Sequence, residues 1–399
     1  MRISEIEILR ADGGWRPLSF LKISTDDGLT GWSEFSENDW SPGLAAVIEG
    51  MGRHALGTEP RSFARLSAEL KAMTLFASGG LAQQAISAIE NACIDIAAKA
   101  AGVPVCALFG GPIRACVDLY WSHCGSFRTT HAEFFEGVLG RPPLRTLDDV
   151  ERLGREAAAS EFRSVKINPI DFSGSAPKLM NPGFRVPGLD LARRADEATL
   201  NSIREQAEAM RSGLGPEMGL MIDVNFAFRP ESARRLLRAL AGVNPAWVEI
   251  DMHEPEVLAD VRRCATSPIA SLETLYGRGA YAPFFAAQAT DVAVVDVLWN
   301  ALAESVRIAN LAELHEVNVA PHNFYGPLAD LIAAHYCASV GNVAIMEYEA
   351  DDVPWKYDLL TEAPVIENGA FVIPSSPGWG ADIDEEALAA HPWQPVRRR

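Results

Sequence analysis

One rhythm constrains this chain more than any other feature. Between Val117 and Glu349, short apolar runs recur, each ending on a polar or charged residue and each followed by a helical pattern. The runs are VDLYWSH, FRSVKIN, GLMIDVN, AWVEID, PIASLE, VAVVDVLWN, VNVAPHN and VAIMEYE. Strands alternating with helices build parallel β-α-β units. Eight such units predict a closed α/β barrel, a TIM-like architecture, ahead of a doubly wound open sheet. Asp223, Glu249, Glu273, Asp296, His322 and Glu347 stand at six of the strand ends, spaced 23 to 26 residues apart. A strand, a helix and two loops fill that length. The six are therefore expected to ring the C-terminal mouth of the barrel, where such folds keep their active sites. An open sheet would not gather six strand ends around one cavity.

The flanking segments read differently. Residues 1–115 begin as a β-meander: Ile3, Ile6 and Ile8 mark one strand, and Asp27-Gly28 is a turn signal between two more. Leu81, Ala85, Ile89, Ala92 and Ile96 then fall on one stripe of a helix over Leu81–Ala101, stopped by Gly102 and Pro104. This N-terminal unit is α+β. Residues 116–350 carry the barrel rhythm. Residues 351–399 hold a hairpin signal at Glu367-Asn368-Gly369. This tail is expected to return to the N-terminal unit and complete a cap.

Charge and composition remove several functions. The formal net charge of −18 opposes binding to the phosphate backbone, so nucleic acid is not an expected partner. A small anionic ligand remains possible, because a metal or lysine reverses the local field. The longest apolar runs fall short of the roughly 20 residues of a membrane helix, so no membrane partner is expected. MRISEIEILR alternates apolar and polar residues and lacks the apolar core of a signal peptide. A cytoplasmic location is the expectation. The six cysteines form no C-x-x-C pair, which predicts reduced, mostly buried thiols.

The strand ends carry chemistry. Asp223, Glu249 and Glu273 stand at three successive ends, and converging carboxylates repel one another unless a cation lies between them. Hard oxygen ligands with room for water and substrate suit Mg²⁺. On the next two strands, Asp296 would fix the tautomer of His322 and raise its basicity. Lys166, inside an apolar strand, is costly unless it meets an anion. Glu347 closes the ring as a hydrogen-bonding acid or a structural partner, and His123, ending the first strand, is a weaker candidate. These parts suit removal of a proton alpha to a carboxylate. The product enediolate is dianionic, a metal and a lysine stabilise it, and a histidine takes the proton.

The residues now resemble the enolase superfamily in its mandelate racemase-like branch. STDDGLTGWSE is similar to the family's capping-domain hairpin, and AISAIENACIDIAAKAAGVPVCALFGG to its helix into the barrel. VKIN, MIDVN, WVEID, IASLET, VVDV, APHN and IMEYE follow in order. The resemblance implies a capping α+β domain on a (β/α)₇β barrel and one Mg²⁺ held by Asp223, Glu249 and Glu273. It implies His322 with Asp296 as the base dyad, and Lys166 as the first lysine of a K-x-K motif. It makes Glu347 the acid that hydrogen-bonds the substrate carboxylate. The second lysine of K-x-K, the usual base on the opposite face, is Asn168 here, and an amide cannot take a proton at neutral pH. Asn225 stands where some sugar-acid dehydratases place a histidine. Asp296 stands where cycloisomerases place a lysine.

The resemblance therefore implies a hydro-lyase dehydrating an acid sugar. The alternatives are a racemase or epimerase of a 2-hydroxy or related acid, and a non-catalytic relative that binds Mg²⁺ and an acid. Asn168, Asn225, His123 and Trp40 are the expected substrate contacts. Ser36–Trp40, Gly125–Arg145 and Pro169–Thr199 are the expected specificity loops. A homo-oligomer is expected.

Overall fold

The computed structural model describes residues 1–180 and 192–394. The N-terminal unit opens with an antiparallel meander of Ile3–Asp12, Pro17–Thr25 and Thr30–Phe35. Gly28 takes φ 88° in its second turn, a conformation that favours glycine. Helices Leu44–Ala55, Phe63–Met73 and Gly80–Ala101 pack behind the meander. The last of these is buried along Gln84–Ala98 because it serves two partners. One face meets the meander. The other meets the barrel, where Asn91 donates to Val297 O at 3.2 Å and accepts from Leu302 N at 2.9 Å. Gly102, at φ 68°, ends the helix where the sequence placed its stop.

Eight parallel strands follow: Cys116–Trp121, Ser164–Ile167, Gly219–Asn225, Trp247–Ile250, Ile269–Ser271, Val292–Asp296, Asn318–His322 and Met346–Tyr348. The first seven pair with one another in chain order, and the eighth pairs in parallel with the first. The seventh reaches the eighth through a parallel bridge between Val319 and Val343. Among the described residues, at least one helix follows each of the first seven strands and packs on the outside. The architecture is the expected (β/α)₇β ring. Among the described residues, no helix is long and apolar enough to cross a membrane.

The tail does more than return to the cap. Its hairpin, Ile366–Glu367 with Ala370–Val372, pairs antiparallel with the start of the first barrel strand. The tail meets the N-terminal unit before the hairpin, where Trp355 Nε1 donates to Asp12 O at 2.7 Å, and again beyond it. There the buried Asp95 accepts from Trp32 N, Trp379 N and Lys99 Nζ at 2.8–3.0 Å, tying meander, helix and tail together. Four of the six cysteines are buried and all are free thiols.

Candidate active site

The strand pleat decides which side chains enter the barrel. Tyr120, Met221, Trp247, Ala270, Val292, Val294, Ala320 and Ile345 form a cluster of their own, separate from the shell shared with the helices. Side chains two residues apart share a face. Two residues beyond these inward anchors lie Ser122, Asp223, Glu249, Asp296, His322 and Glu347, so the pleat stacks a polar layer on an apolar floor. Glu273 breaks this parity, because it lies three residues beyond Ala270. Leu272 supplies the correction: it holds φ 89°, unusual for a bulky residue, and its side chain joins the outer shell. The buried Asp251 carboxylate fixes this turn by accepting from Leu272 N at 2.9 Å and Ser271 Oγ at 2.7 Å. The strained backbone thus turns Glu273 into the mouth.

Lys166 is 2% exposed, with Nζ 3.0 Å from both Glu249 Oε2 and Glu347 Oε1. Burial alone would lower its pKa. The Glu249 and Glu347 charges outweigh burial and hold its pKa well above the ordinary value. Glu347 also accepts from Ser122 Oγ at 2.5 Å and Asn323 N at 2.7 Å. Burial pushes its pKa up, but Lys166 and His322 reverse the sign and hold it well below the carboxylate range. It is therefore an ionised acceptor in the free protein rather than a protonated donor.

The three expected metal ligands stand at or just past the ends of three consecutive barrel strands. Asp223 and Glu249 are register partners on adjacent strands. Each carboxylate leans on a protein donor: Asp223 on Asn168 Nδ2 and Asn225 N, Glu249 on Lys166, Glu273 on Asn225 Nδ2. Among the described residues, no three such side chains are already drawn into a metal cage. The donor set still fits a hard cation. Glu249 Oε1 is buried with no hydrogen-bond partner, an arrangement that costs free energy unless something binds it. Burial, reinforced by Asp223 and Glu347, pushes the Glu249 carboxyl up to about 7. Burial also raises Asp223, and it lifts Glu273 well above its usual range. Crowded, dehydrated carboxylates with a spare oxygen suit Mg²⁺.

Across the mouth, His322 Nδ1 meets Asp296 Oδ2 at 2.6 Å, and its Nε2 faces Glu273 Oε2 at 3.4 Å. Burial lowers its basicity, but the Glu273 and Asp296 charges win and raise the pKa to about 10. Asp296 is itself fixed. Its Oδ1 caps the short helix Val297–Asn300 through Trp299 N at 2.8 Å, and its Oδ2 also accepts from Tyr325 OH at 2.5 Å. The rings of Trp299, Phe324 and Tyr325 lie 5.1–5.8 Å from the imidazole.

The expected substrate contacts fare differently. Both ends of the Asn168 amide are engaged within the protein: Oδ1 accepts from Ser126 Oγ at 2.7 Å, and Nδ2 donates to Asp223 at 3.2 Å. Asn225, at φ 45°, binds both Asp223 and Glu273. In this structure both asparagines hydrogen-bond to expected metal ligands. His123 is buried against Glu349 Oε2 at 3.0 Å, and dehydration lowers its pKa to about 3. Trp40 is 51% exposed, its amide bonded to Asn38 in its own loop. The loop over 125–145 carries two short helices and packs Phe127 and Phe135 against Trp15, 5.0 and 5.1 Å between ring centres. The loop over 169–199 opens with a small hairpin pairing Ile170 with Leu179, and its residues 181–191 lie outside the described residues. Sequence reasoning missed Ser122, Asp251, Asn323 and Tyr325. Ser122 alone had a signal, the same pleat parity as its neighbours.

The chain is similar to known proteins along most of its length. Residues 11–110 fit the family model described as mandelate racemase / muconate lactonizing enzyme, N-terminal domain, and residues 149–387 fit the one described as enolase C-terminal domain-like. The chain is 28% identical to D-xylonate dehydratase of Haloferax volcanii, over 98% of this chain and 88% of that protein. It is 28% identical to D-galactarolactone cycloisomerase of Agrobacterium fabrum, over 92% and 89%. A crystal structure from Burkholderia xenovorans, named provisionally as an L-alanine-DL-glutamate epimerase and bound to magnesium and fumarate, has a TM-score of 0.94. It is 42% identical and covers 98% of this chain and 96% of its own.

Proposed function

We propose, from the premise that this chain belongs to the mandelate racemase/muconate lactonizing enzyme branch of the enolase superfamily, that it dehydrates an acid sugar by removing the proton alpha to the carboxylate. The observation that carries this reading is asymmetry. The His322–Asp296 pair faces the Lys166–Glu249–Glu347 cluster, while the position of an opposing base is taken by the Asn168 amide, engaged at both ends.

Asp223, Glu249 and Glu273 would hold the Mg²⁺. When bound, Mg²⁺ supplies a hard positive charge beside the substrate carboxylate and the enediolate derived from it. Lys166 adds a cation on the other side of that carboxylate and stabilises the same developing charge. In the free protein His322 Nε2 lies 3.4 Å from Glu273 Oε2. With Glu273 engaged as a ligand, Asp296 Oδ2 still holds Nδ1 at 2.6 Å, an arrangement suited to a base near neutral pH. His322 Nε2 then takes the α-proton. As the β C–O bond breaks, the same imidazolium can protonate the departing hydroxide to give water, and the electron pair forms the enol. Asp296 and Tyr325 keep the ring oriented through both transfers.

Epimerisation is the second reading, favoured by the name of the Burkholderia relative. It requires a second base on the opposite face. Incubation of mono- and diacid sugars with enzyme and Mg²⁺ in deuterium oxide separates the two. Loss of water from one α-epimer supports dehydration. Label entering both epimers without loss of water replaces it with epimerisation.

A further inference from the structure

The capping unit reaches past the mouth and grips the segment that carries the base. Glu34, at the end of the third meander strand, is 2% exposed. Its Oε1 accepts from Gly326 N at 2.5 Å and its Oε2 from Ala329 N at 3.0 Å. These amides open the helix Pro327–Ser339, whose own N-cap, Gly326, supplies no side chain. Unpaired amides at a helix start need an acceptor, and a carboxylate there also favours the helix dipole. A carboxylate from the other unit fills that need. A Cβ at position 326 would lie 2.6 Å from Glu34 Oε1, so glycine makes the approach possible. Arg16, at the tip of the first meander hairpin, donates to Phe324 O at 2.5 Å and Tyr325 O at 3.1 Å, and pairs with Asp352 at 2.8 Å.

The stretch from His322 to Ala329 is thus clasped on both polarities. Arg16 holds its carbonyls and Glu34 its amides. Within that stretch Tyr325 OH reaches the same Asp296 oxygen that orients His322. Building on the proposed reading, we infer that Glu34 and Arg16 are positioning residues for the His322–Asp296 base, acting through Tyr325 without touching substrate. The base is then aligned only when the cap is seated. The structural alternative for Glu34 is helix capping alone, and the test below separates the two. Glu34 caps a helix that is already buried along its full length, and its side chain is anchored to the segment beside the base.

Arg114 provides the control, because it clasps the far end of the same helix by donating to Val340 O at 3.0 Å. Glu34→Gln keeps the size but sets an NH₂ against one of the two amides. The test compares E34Q, R16K and R114K for thermal stability, kcat, KM, Mg²⁺ affinity and the low-field proton resonance of His322 Nδ1–H, assigned by its loss in H322N. The expectation for E34Q and R16K is a kcat lower by tenfold to roughly a hundredfold, the scale for a misplaced catalytic group. KM and Mg²⁺ affinity stay near wild type, and the Nδ1–H resonance shifts or broadens. R114K should lose stability with kcat and resonance unchanged. If E34Q does not fold, R16K carries the same readouts. Turnover that follows stability equally in all three variants, or an undisturbed resonance in E34Q and R16K, overturns the inference. If the wild type turns over no acid, the proposed activity fails, and the resonance still decides the positioning role.

Discussion

Replacing Lys166 by Met removes the one charge that two buried carboxylates share. Nζ lies 3.0 Å from Glu249 and 3.0 Å from Glu347, with all three side chains at most 2% exposed. Met approximates the volume of the lysine stem, so the cavity contribution is small. What remains is a pair of anions without a counter-charge, and breaking one side of a buried pair costs about 3–5 kcal/mol. The substrate carboxylate also loses its cationic partner. Losing a preorganised charge of this kind lowers kcat by about 10²–10³. Two measurements check both parts: the urea midpoint in the presence of chelator, and turnover at saturating Mg²⁺. The variant should unfold about 3 kcal/mol earlier without metal, and Mg²⁺ should restore more stability to it than to wild type, because the cation neutralises Glu249. A variant within about 1 kcal/mol of wild type that turns over at near wild-type rate would refute the reasoning, since Lys166 would then be neither counter-charge nor stabiliser.

His322→Asn should abolish both α-proton exchange and product formation while Mg²⁺ and ligand still bind; persistent exchange would reveal a second base. Asn168→Ala removes the amide that holds Asp223, so Mg²⁺ affinity should fall about 10–100-fold, the usual effect of a lost ligand-orienting contact. α-Proton exchange should remain detectable at saturating metal, and an unchanged metal titration would contradict this. Glu34 offers a pH test. Burial, opposed by the Gly326 and Ala329 amides and by Arg16 and aided by Asp330, raises it to about 7. The native state therefore holds this proton more tightly than the unfolded chain. Its contribution is full below about 4.5 and is lost as pH rises through about 7. Relative to E34Q, wild type should lose on the order of 3 kcal/mol across that window, at 1.36 kcal/mol per pKa unit; parallel stability curves would count against the shift.

The barrel was legible because its rhythm is coarse. Each apolar run must end where the chain meets the mouth, so a residue such as Asp296 or His322 announces its place by position alone. The pleat adds a second rule, and Met221 with Asp223, or Ile345 with Glu347, obey it. Glu273 lies outside that rule, because only the left-handed turn at Leu272 brings it inward, and one sequence does not display that turn. The carboxylate contacts of Asn168 and Asn225 were hidden for a different reason. An asparagine at a mouth can serve substrate or scaffold, and the choice depends on which neighbours reach it. The grip of Arg16 and Glu34 was least legible, since each contact spans about 300 residues of chain. No local pattern records a bond between two units folded from opposite ends. The tail showed its hairpin at Asn368-Gly369, whose φ angles of 52° and 72° suit the turn. Its pairing with the first barrel strand is a tertiary fact.

The central claim is that one base, His322, starts a metal-assisted elimination. The most direct measurement follows α-deuterium incorporation and water loss together, for both α-epimers of each acid in a mono- and diacid sugar library, in deuterium oxide with and without Mg²⁺. The account predicts Mg²⁺-dependent dehydration of one α-epimer, with no label entering the other and no activity in H322N. Label washing into both epimers with the carbon skeleton and hydroxyls intact, or proton removal that survives His322→Asn, would contradict it.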